Sequence, residues 1–427
     1  MDSRGTTPGL RPRSPLITLC ITEVTSWGVL YYAFPVLAPS ISADTGWSIP
    51  AVTAGFSIGL VVSAVAGVPV GRLLDRIGPR PVMTGGALLA FPATLALAAA
   101  RTLPEFLGAW VLAGLAMSAV LYQPAFAALT RWYGPRRVTA LTILTLAAGL
   151  ASTVYAPITV ALVSHLSWRQ TYVVLAVVLA VVLAVITLPG HVFGLGLPWT
   201  AAEHHPHRSH GPNAVARSGA FIALAAAMSL AAFAIYAAVV NLIPLLHQRG
   251  LTASEAAVAL GLGGVGQVLG RLGYGRLTAA TNLRTRTAVV LLAAAATIIL
   301  LGLLPGPALA LVIAAVLAGA ARGIYTLLQA TAVTDRWGAT HYGQLNGLLS
   351  APSSLAAALA PWAGAALAGP VGGYPAVFFV LGTVGVLATA LATVASPTDG
   401  ARRRHRALAL SRAASVPDGP GNTRPHA

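Results

Sequence analysis

The chain alternates long apolar runs with short polar segments, and it carries twelve such runs. Each run is close to or longer than the ~20 residues that an α-helix needs to cross the hydrocarbon core of a bilayer. A single span must satisfy its own backbone hydrogen bonds, and runs of this length do not fit the shorter alternating strands of a barrel. The pattern therefore predicts an all-α membrane protein with twelve transmembrane helices.

The polar segment at residues 191–217 divides the runs six and six, and its proline, glycine and histidine content predicts a flexible cytoplasmic linker. The first six predicted helices cover Pro15–Pro39, Ile49–Gly71, Val82–Ala100, Glu105–Thr130, Val138–Ser164 and Thr171–Gly190. The second six cover Ser218–Leu246, Ala253–Leu277, Thr287–Pro305, Ala308–Thr334, Leu345–Gly369 and Tyr374–Ser396. The predicted organisation is a cytoplasmic N-terminal tail (1–14), a six-helix bundle (15–190), the linker, a second six-helix bundle (218–396) and a disordered cytoplasmic tail (397–427).

Short sequences recur between the two predicted bundles at a nearly constant offset. Ala113–Gly114 and Arg131–Trp132 recur 205 residues later as Ala318–Gly319 and Arg336–Trp337, and Gly71–Leu73 recurs 204 residues later as Gly275–Leu277. Each match is short, but the shared offset indicates a duplicated unit. Two repeated halves with a site between them are typical of secondary transporters, so we expect two pseudo-symmetric bundles.

The distribution of charge supports this interpretation and orients the chain. Only 8% of the residues are charged, against roughly 25% in soluble domains, which excludes a soluble globular protein. All 26 basic residues are arginines; 21 lie in the tails and in the loops on the side of the N-terminus, and three lie in the loops on the other side. The positive-inside rule then places both termini in the cytoplasm. The alanine, glycine, proline and arginine content indicates a GC-rich genome and hence a bacterial inner membrane.

Several other classes of function find no support in the sequence. The arginines lie in short loops between apolar runs, so the net charge of +16 indicates a membrane topology rather than a nucleic-acid partner. No Walker A motif is present, the single Cys20 excludes a disulfide framework, and the histidines of the linker lack metal-ligand spacing. We therefore expect no enzyme activity, no cofactor and no metal.

The loop between the second and third predicted helices reads "GRLLDRIGPR" and concentrates charge between two apolar runs. It resembles the loop signature of the major facilitator superfamily, matched here at Gly71, Leu73, Asp75, Arg76, Gly78 and Arg80, with Arg72 inside the motif. The resemblance implies the major facilitator fold and a cytoplasmic gate in which Asp75 contacts the start of the eleventh helix and the end of the fourth, where Arg131 lies. A topology signal alone would explain the arginines, but not Asp75 or the glycines. We also expect Gly71 to allow two helices to approach closely.

A second resemblance concerns the substrate. The pairs Trp27–Gly28 and Tyr31–Tyr32, with Gly46–Trp47–Ser48, are similar to the bacterial branch near the monocarboxylate and oxalate–formate transporters. In monocarboxylate carriers an Asp-x-x-x-Arg pair lies in the eighth helix, and Gln267 and Arg271 stand at that spacing here. The resemblance implies a small organic carboxylate as the substrate.

Ionisable residues inside membrane helices are costly, so the few present are candidates for function. Glu23 is a candidate for a proton or a cationic group, and Arg322 and Arg271 are candidates for an anion; a structural role stays open for each. Polar and aromatic candidates that complete the site are Tyr32, Tyr122, Gln123, Asn241 and Gln267.

Three functions follow from these residues. The first is a monomeric secondary transporter that moves a small carboxylate by alternating access, with or without a coupled proton. The second is a proton-driven efflux pump for amphipathic or cationic compounds, with Glu23 as the switch. The third is a membrane sensor on the same fold that transports nothing.

Overall fold

The computed structural model describes residues 14–133, 137–188, 215–337 and 342–394, and within these ranges the regular structure is entirely helical. In the first half, α1 comprises Ser14–Trp27, a π-helical turn at Gly28–Tyr32 and Ala33–Thr45; α2 is Ile49–Ile77; α3 is Pro79–Ala99; α4 comprises Leu103–Val120 and Tyr122–Tyr133; α5 comprises Arg137–Gly149 and Ala151–Val163; α6 comprises Trp168–Val182 and a π-helical turn at Leu183–Thr187.

The second half has the same sequence of long helices. In it, α7 is Gly219–Val240, followed by the short helix Leu242–Gln248; α8 is Ala253–Ala280; α9 is Leu283–Leu303; α10 is Ala308–Thr331, followed by the short helix Thr334–Trp337; α11 is Tyr342–Ala368; α12 is Tyr374–Val394. The predicted tails and linker fall largely on residues 1–13, 189–214 and 395–427, outside the described residues, so those divisions stay predictions.

The predicted membrane fold is confirmed. Eleven helical segments within the described residues are long and apolar enough to cross a bilayer. The twelfth predicted span is α11, a helix of 27 residues whose polar residues and two prolines, Pro352 and Pro361, lower its mean hydropathy. All twelve long helices are therefore long enough to cross a bilayer, and eleven of them are also apolar enough.

Local sequence explains where the helices begin and break. On one side of the bundle, Ser48, Thr102, Ser167 and Thr252 accept hydrogen bonds from the backbone at the starts of α2, α4, α6 and α8. We predicted α4 as one continuous helix, but it is interrupted at Leu121, whose backbone is extended. Pro124 explains the interruption, because proline lacks an amide hydrogen and clashes with the carbonyl four residues earlier.

Glycines make the same close helix crossing in both halves. A Cβ atom added to Gly114 of α4 would overlap the carbonyl oxygen of Gly59 in α2. In the second half, a Cβ added to Gly319 of α10 would overlap the carbonyl oxygen of Gly263 in α8. The offsets are 205 and 204 residues, matching the repeat in the sequence. The helix crossing explains why glycine recurs at the two Ala-Gly pairs, because only glycine allows the two backbones to approach this closely.

The two halves contact each other mainly through two helix pairs, α2 with α11 and α5 with α8, and more weakly where Ala33–Thr45 of α1 meets the short helix Leu242–Gln248. We call the side of the bundle on which α1 begins the near side, and the opposite side the far side. Toward the far side, the Ser57 hydroxyl of α2 accepts a hydrogen bond of 3.1 Å from the backbone N–H of Trp362 in α11. Beyond Gly59, α2 has no buried residue until Leu74 near its end, since none of residues 60–73 is buried. The halves are therefore joined on the far side and separated along α2 on the near side.

We predict that Gly114→Ala destabilises the protein, whereas Gly108→Ala on the same helix does not. The Gly114 methyl would force α2 and α4 apart, and overpacking of this kind costs about 1–3 kcal/mol. A methyl at Gly108 meets no atom within 4 Å. The measurement is the melting temperature of each purified variant in detergent. Equal melting temperatures for the two variants would contradict the crossing described above.

Candidate substrate-binding site

Arg322 lies in the middle of α10 and is 5% exposed. Its Nη2 donates a hydrogen bond of 2.9 Å to Oε1 of Gln267 in α8. Its Cζ lies 6.0 Å from the centroid of the Tyr32 ring in α1, at the outer limit of a cation–π contact. The Nε of Arg322 is buried and has no hydrogen-bond partner. The guanidinium is thus held in place by one neutral side chain and keeps donor capacity for a ligand.

The position of Arg322 depends on glycines that our sequence interpretation missed. A Cβ added to Gly323 would overlap the carbonyl oxygen of Gln267, and one added to Gly270 would overlap the carbonyl oxygen of Ala320. The close contact of α8 and α10 therefore places Gln267 directly beside Arg322. The signal was present, because Gly266–Gly270 and Gly319–Gly323 both have the G-x-x-x-G spacing of tight membrane-helix contacts.

Arg271 is also buried, at 6% exposure. It lies one turn after Gln267 on α8, and its Nη1 donates to the backbone carbonyl of Thr145 in α5, across the contact between the halves. Arg271 lines the smaller of the cavities described below together with Tyr122 of α4. Its Nε has no hydrogen-bond partner. Arg271 therefore joins the two halves and also presents a cation to the space between them.

The first half supplies aromatic rings that face these arginines. The Trp27 ring centroid lies 5.3 Å from that of Tyr31 and 5.0 Å from that of Tyr122. Tyr31 and Tyr32 meet edge to face at 5.1 Å. Residues Gly28 to Tyr32 form the π-helical turn of α1, which turns both tyrosines toward buried positions. Such turns occur often at functional sites, and the following Pro35 lacks an amide hydrogen for the regular helical bond.

Two adjoining cavities lie between the halves. The smaller, about 30 Å³, is lined by Trp27, Tyr31, Tyr32, Tyr122, Ala148, Tyr236, Gln267, Arg271, Arg322 and Thr326. The larger, about 260 Å³, shares Trp27, Tyr31, Tyr122 and Tyr236 with it and extends along α2, α4, α10 and α11. None of the described residues that line the two cavities is acidic. The space between the halves is therefore aromatic, polar and positively charged.

Glu23 lies one helical turn before Trp27 on α1 and is fully buried. Its Oε2 accepts a hydrogen bond of 3.0 Å from the indole Nε1 of Trp27, and its Oε1 has no partner. The partner of Glu23 in this hydrogen bond is thus the indole of a residue that lines both cavities. Glu23 contacts the site through Trp27 rather than lining it.

The remaining polar candidates lie in different places. Gln123 lines the larger cavity at the interruption of α4. Asn241 lies apart from both cavities, where α7 ends: its Nδ2 donates to the carbonyls of Ala237 (2.9 Å) and Pro361 (3.4 Å). The structure thus brings together Tyr32, Tyr122, Gln123, Gln267, Arg271 and Arg322, and separates Asn241 from them.

The motif from Gly71 to Arg80 spans the junction of α2 and α3 on the near side. Gly78 has φ of 85°, a conformation that favours glycine and that allows the sharp connection between the two helices. Gly71 differs from our expectation of a close helix contact, since an added Cβ there would meet nothing within 4 Å. The reason is that Gly71 lines a near-side cavity of about 250 Å³ together with Gln123. The side chains of Asp75 and Arg131 lie outside the described residues.

The family model of the Major Facilitator Superfamily matches residues 19–310 and 283–417 of this chain. The chain belongs to this superfamily. The resemblance identified from its loop motif is therefore confirmed. A solved bacterial homologue of the human lysosomal transporter Spinster, in an inward-facing and occupied conformation, has the same fold: the TM-score is 0.67 at 17% identity, over 92% of this chain and 96% of that one.

Among curated relatives of this facilitator are two monocarboxylate transporters. Monocarboxylate transporter 13 of Bos taurus is 28% identical to this chain, and the match covers 59% of this chain and 56% of the relative. Monocarboxylate transporter 11 of Homo sapiens is 32% identical, and the match covers 34% of this chain and 30% of the relative. The fujikurins efflux protein of Gibberella fujikuroi is 29% identical over 29% of this chain and 25% of its own. The match thus spans a little over half the length of the first of these relatives.

The second half of the facilitator contains an ion pair that we did not predict. Its loop after α8 has no acid to match Asp75, but Asp335 in the short helix after α10 pairs with Arg286 of α9. Arg336 of the same short helix donates to the Thr287 hydroxyl at 2.9 Å. At the near-side end of the second half, the short helix after α10 is therefore held against α9 by an ion pair and a hydrogen bond.

We predict that Gln267 and Arg322 are energetically coupled. Gln267→Leu removes the acceptor from a buried guanidinium, and Arg322→Leu leaves the buried amide oxygen unpaired. Each single change leaves one buried polar group without its partner, which lowers the free energy of unfolding. The double variant leaves no such group, so its loss in the free energy of unfolding is smaller than the sum of the two single losses by about 1.5–3 kcal/mol. A double-mutant cycle on unfolding in detergent measures this coupling. Additive effects would show that the hydrogen bond contributes nothing.

Proposed function

We propose that this facilitator carries a small organic carboxylate anion, and that Arg322 and Arg271 bind the carboxylate. One observation carries the proposal: two buried arginines line a cavity between the halves whose described lining has no acid. An unneutralised pair of buried cations is costly, and an anion that enters the cavity offsets this cost. The neighbouring hydroxyls of Tyr32, Tyr122 and Tyr236 line the same space and offer further donors.

The chemistry of the guanidinium favours a carboxylate over a neutral solute. Arginine presents planar donors that match the two oxygens of a carboxylate, and hydrogen bonds between two charged groups are the stronger class. Arg322 uses one nitrogen on Gln267, and Arg271 uses one on Thr145. Both keep an unpartnered Nε. The names of the two mammalian relatives, both monocarboxylate transporters, support the same substrate class.

The contacts between the halves support alternating access. The halves are joined toward the far side at Ser57 and Trp362, while none of residues 60–73 of α2 is buried. With the arginine-rich loops in the cytoplasm of a bacterium, this is an inward-facing state of a monomer in the inner membrane, with both termini cytoplasmic. Closure of the near side would bring Asp75 of the loop motif, with Arg72, Arg76 and Arg80 around it, to the start of α11 in the other half, whereas Arg131 at the end of α4 lies in the same half as Asp75.

Glu23 is the group we assign to proton coupling. It is fully buried, one oxygen has no partner, and the other holds Trp27, which lines both cavities. Protonation at the unpartnered oxygen would remove a buried negative charge near the anion site without breaking the indole hydrogen bond. A proton and a carboxylate would then enter together as a neutral pair.

The second candidate function is proton-driven efflux of amphipathic or cationic compounds. The aromatic lining formed by Trp27, Tyr31, Tyr122 and Tyr236 supports it, because such rings bind apolar bodies and cations. The fungal relative named as an efflux protein also supports it. The first function requires an anionic ligand and the second an apolar or cationic one. The variants Arg322→Gln and Glu23→Gln therefore distinguish the two functions.

We predict that Arg322→Gln raises the apparent KM for a transported carboxylate at least tenfold, or about 1.4 kcal/mol, because the charged hydrogen bonds to the anion are lost. The measurement is counterflow of radiolabelled carboxylates in proteoliposomes. Arg276→Gln, an exposed arginine on α8, is the matched control and leaves KM unchanged. An unchanged KM in Arg322→Gln with a lower yield of protein would make Arg322 structural. Flux of a lipophilic cation that is lost in Glu23→Gln would favour efflux instead.

We also predict that Asp75→Asn abolishes flux while insertion into the membrane is intact, because the near-side gate loses its charged contact. Counterflow and the amount of folded protein are measured on the same preparation. Arg284→Gln, an exposed arginine at the near-side start of α9 and outside the motif, is the control and retains flux. Normal flux in Asp75→Asn would remove the gating role.

A further inference from the structure

A fourth cavity lies in the second half, between α7, α8, α9 and α10. Its volume is about 40 Å³. The lining is mostly aliphatic and includes Ile235, Leu242, Leu260, Ile298, Leu301 and Ala294. Arg322 belongs to this lining and also to that of the cavity between the halves. The same arginine therefore borders a polar space on one side and an apolar space on the other.

An unfilled apolar cavity is unusual in a packed bundle. Interiors are close-packed, and an empty void forfeits the contacts that its lining would otherwise make. Apolar cavities of this kind stay dry and accept apolar ligands. A water molecule needs roughly 10–15 Å³ on the same measure, so this space holds roughly three atoms of a hydrocarbon chain.

The few polar atoms around the cavity are already engaged. Thr297 is the one hydroxyl residue of its described lining, and its Oγ1 donates to the carbonyls of Ala293 at 3.0 Å and Ala294 at 2.9 Å within α9. The cavity thus presents no free donor for a second carboxylate or a hydroxyl group. An occupant must be apolar except where it reaches Arg322.

We infer that this cavity, which we call the tail cavity, receives the apolar tail of the anion that Arg322 binds. The substrate class is then an unbranched aliphatic monocarboxylate with a tail of about three or four carbons. Dicarboxylates, and acids with a hydroxyl at the far end of the tail, are excluded because that second polar group would be buried in the apolar cavity without a partner. This inference rests on the proposed function, since it specifies the substrate of the same site.

The test is a chain-length series of straight-chain monocarboxylates, from two to six carbons, measured as apparent KM in counterflow. Each methylene that enters the tail cavity tightens binding about fourfold, or about 0.8 kcal/mol. We therefore expect KM to fall with chain length in the wild-type protein until the cavity is filled. Succinate serves as a dicarboxylate of four carbons and is expected to compete at least tenfold less well than butyrate.

A pair of adjacent alanines on α9 provides the variant and its control. Ala294 is buried and lines the tail cavity, whereas Ala293 is exposed on the other face of the helix. Ala294→Leu fills the cavity, so KM for the acids of four to six carbons rises at least tenfold while KM for acetate stays within twofold. Ala293→Leu adds the same side chain outside the cavity and keeps the wild-type profile.

A second variant enlarges the cavity instead of filling it, so the inference can still be tested if Ala294→Leu does not fold. Ile298→Ala enlarges the tail cavity, so the preferred chain becomes one to two carbons longer. Wild-type profiles in both Ala294→Leu and Ile298→Ala would overturn the tail cavity while leaving the carboxylate function in place. Absence of uptake for every carboxylate in the wild-type protein would overturn both the inference and the proposed function.

Discussion

The burial of a guanidinium in the middle of a membrane protein is the constraint on which the site depends. A charge at this depth is costly, so each donor of Arg322 needs a partner or a ligand. Gln267 satisfies one nitrogen and adds no opposing charge. The site is consequently electropositive when it holds no ligand, and the proposed selectivity for an anion rests on this property.

The glycine crossings explain how the chain meets this constraint. The contact of Gly114 with Gly59 is repeated by that of Gly319 with Gly263, so the duplicated halves share one mode of helix packing. The halves have nevertheless diverged in chemistry. The first supplies the aromatic rings, from Trp27 to Tyr122, and the second supplies both arginines. A site between such halves can hold the charged and the apolar part of one solute at the same time.

Much of this fold could be predicted from the sequence, because membrane helices carry their signal in length and hydropathy. The span positions, the two halves and the burial of Arg322 followed from that signal. The partner of Arg322 did not follow. Gln267 stands one turn from Arg271 on α8, and only the crossing of α8 with α10 shows that Gln267 bonds across to Arg322 instead.

The other differences have the same origin in contacts between helices. Asn241 is polar and close to a proline, which made it a candidate, yet it bonds to Pro361 away from the cavities. Glu23 is the one acid of its span, yet its partner is Trp27 on its own helix. The ion pair of Asp335 with Arg286 joins residues 49 positions apart in the chain, a distance at which no local pattern pairs them.

The most direct test of the anion site is a melting-temperature screen of the purified protein in detergent. The panel holds short monocarboxylates and lipophilic cations at matched ionic strength. A ligand that binds the folded state raises the melting temperature by mass action. The account predicts that a monocarboxylate raises it in the wild-type protein and not in Arg322→Gln. A rise with lipophilic cations and none with any carboxylate would contradict it.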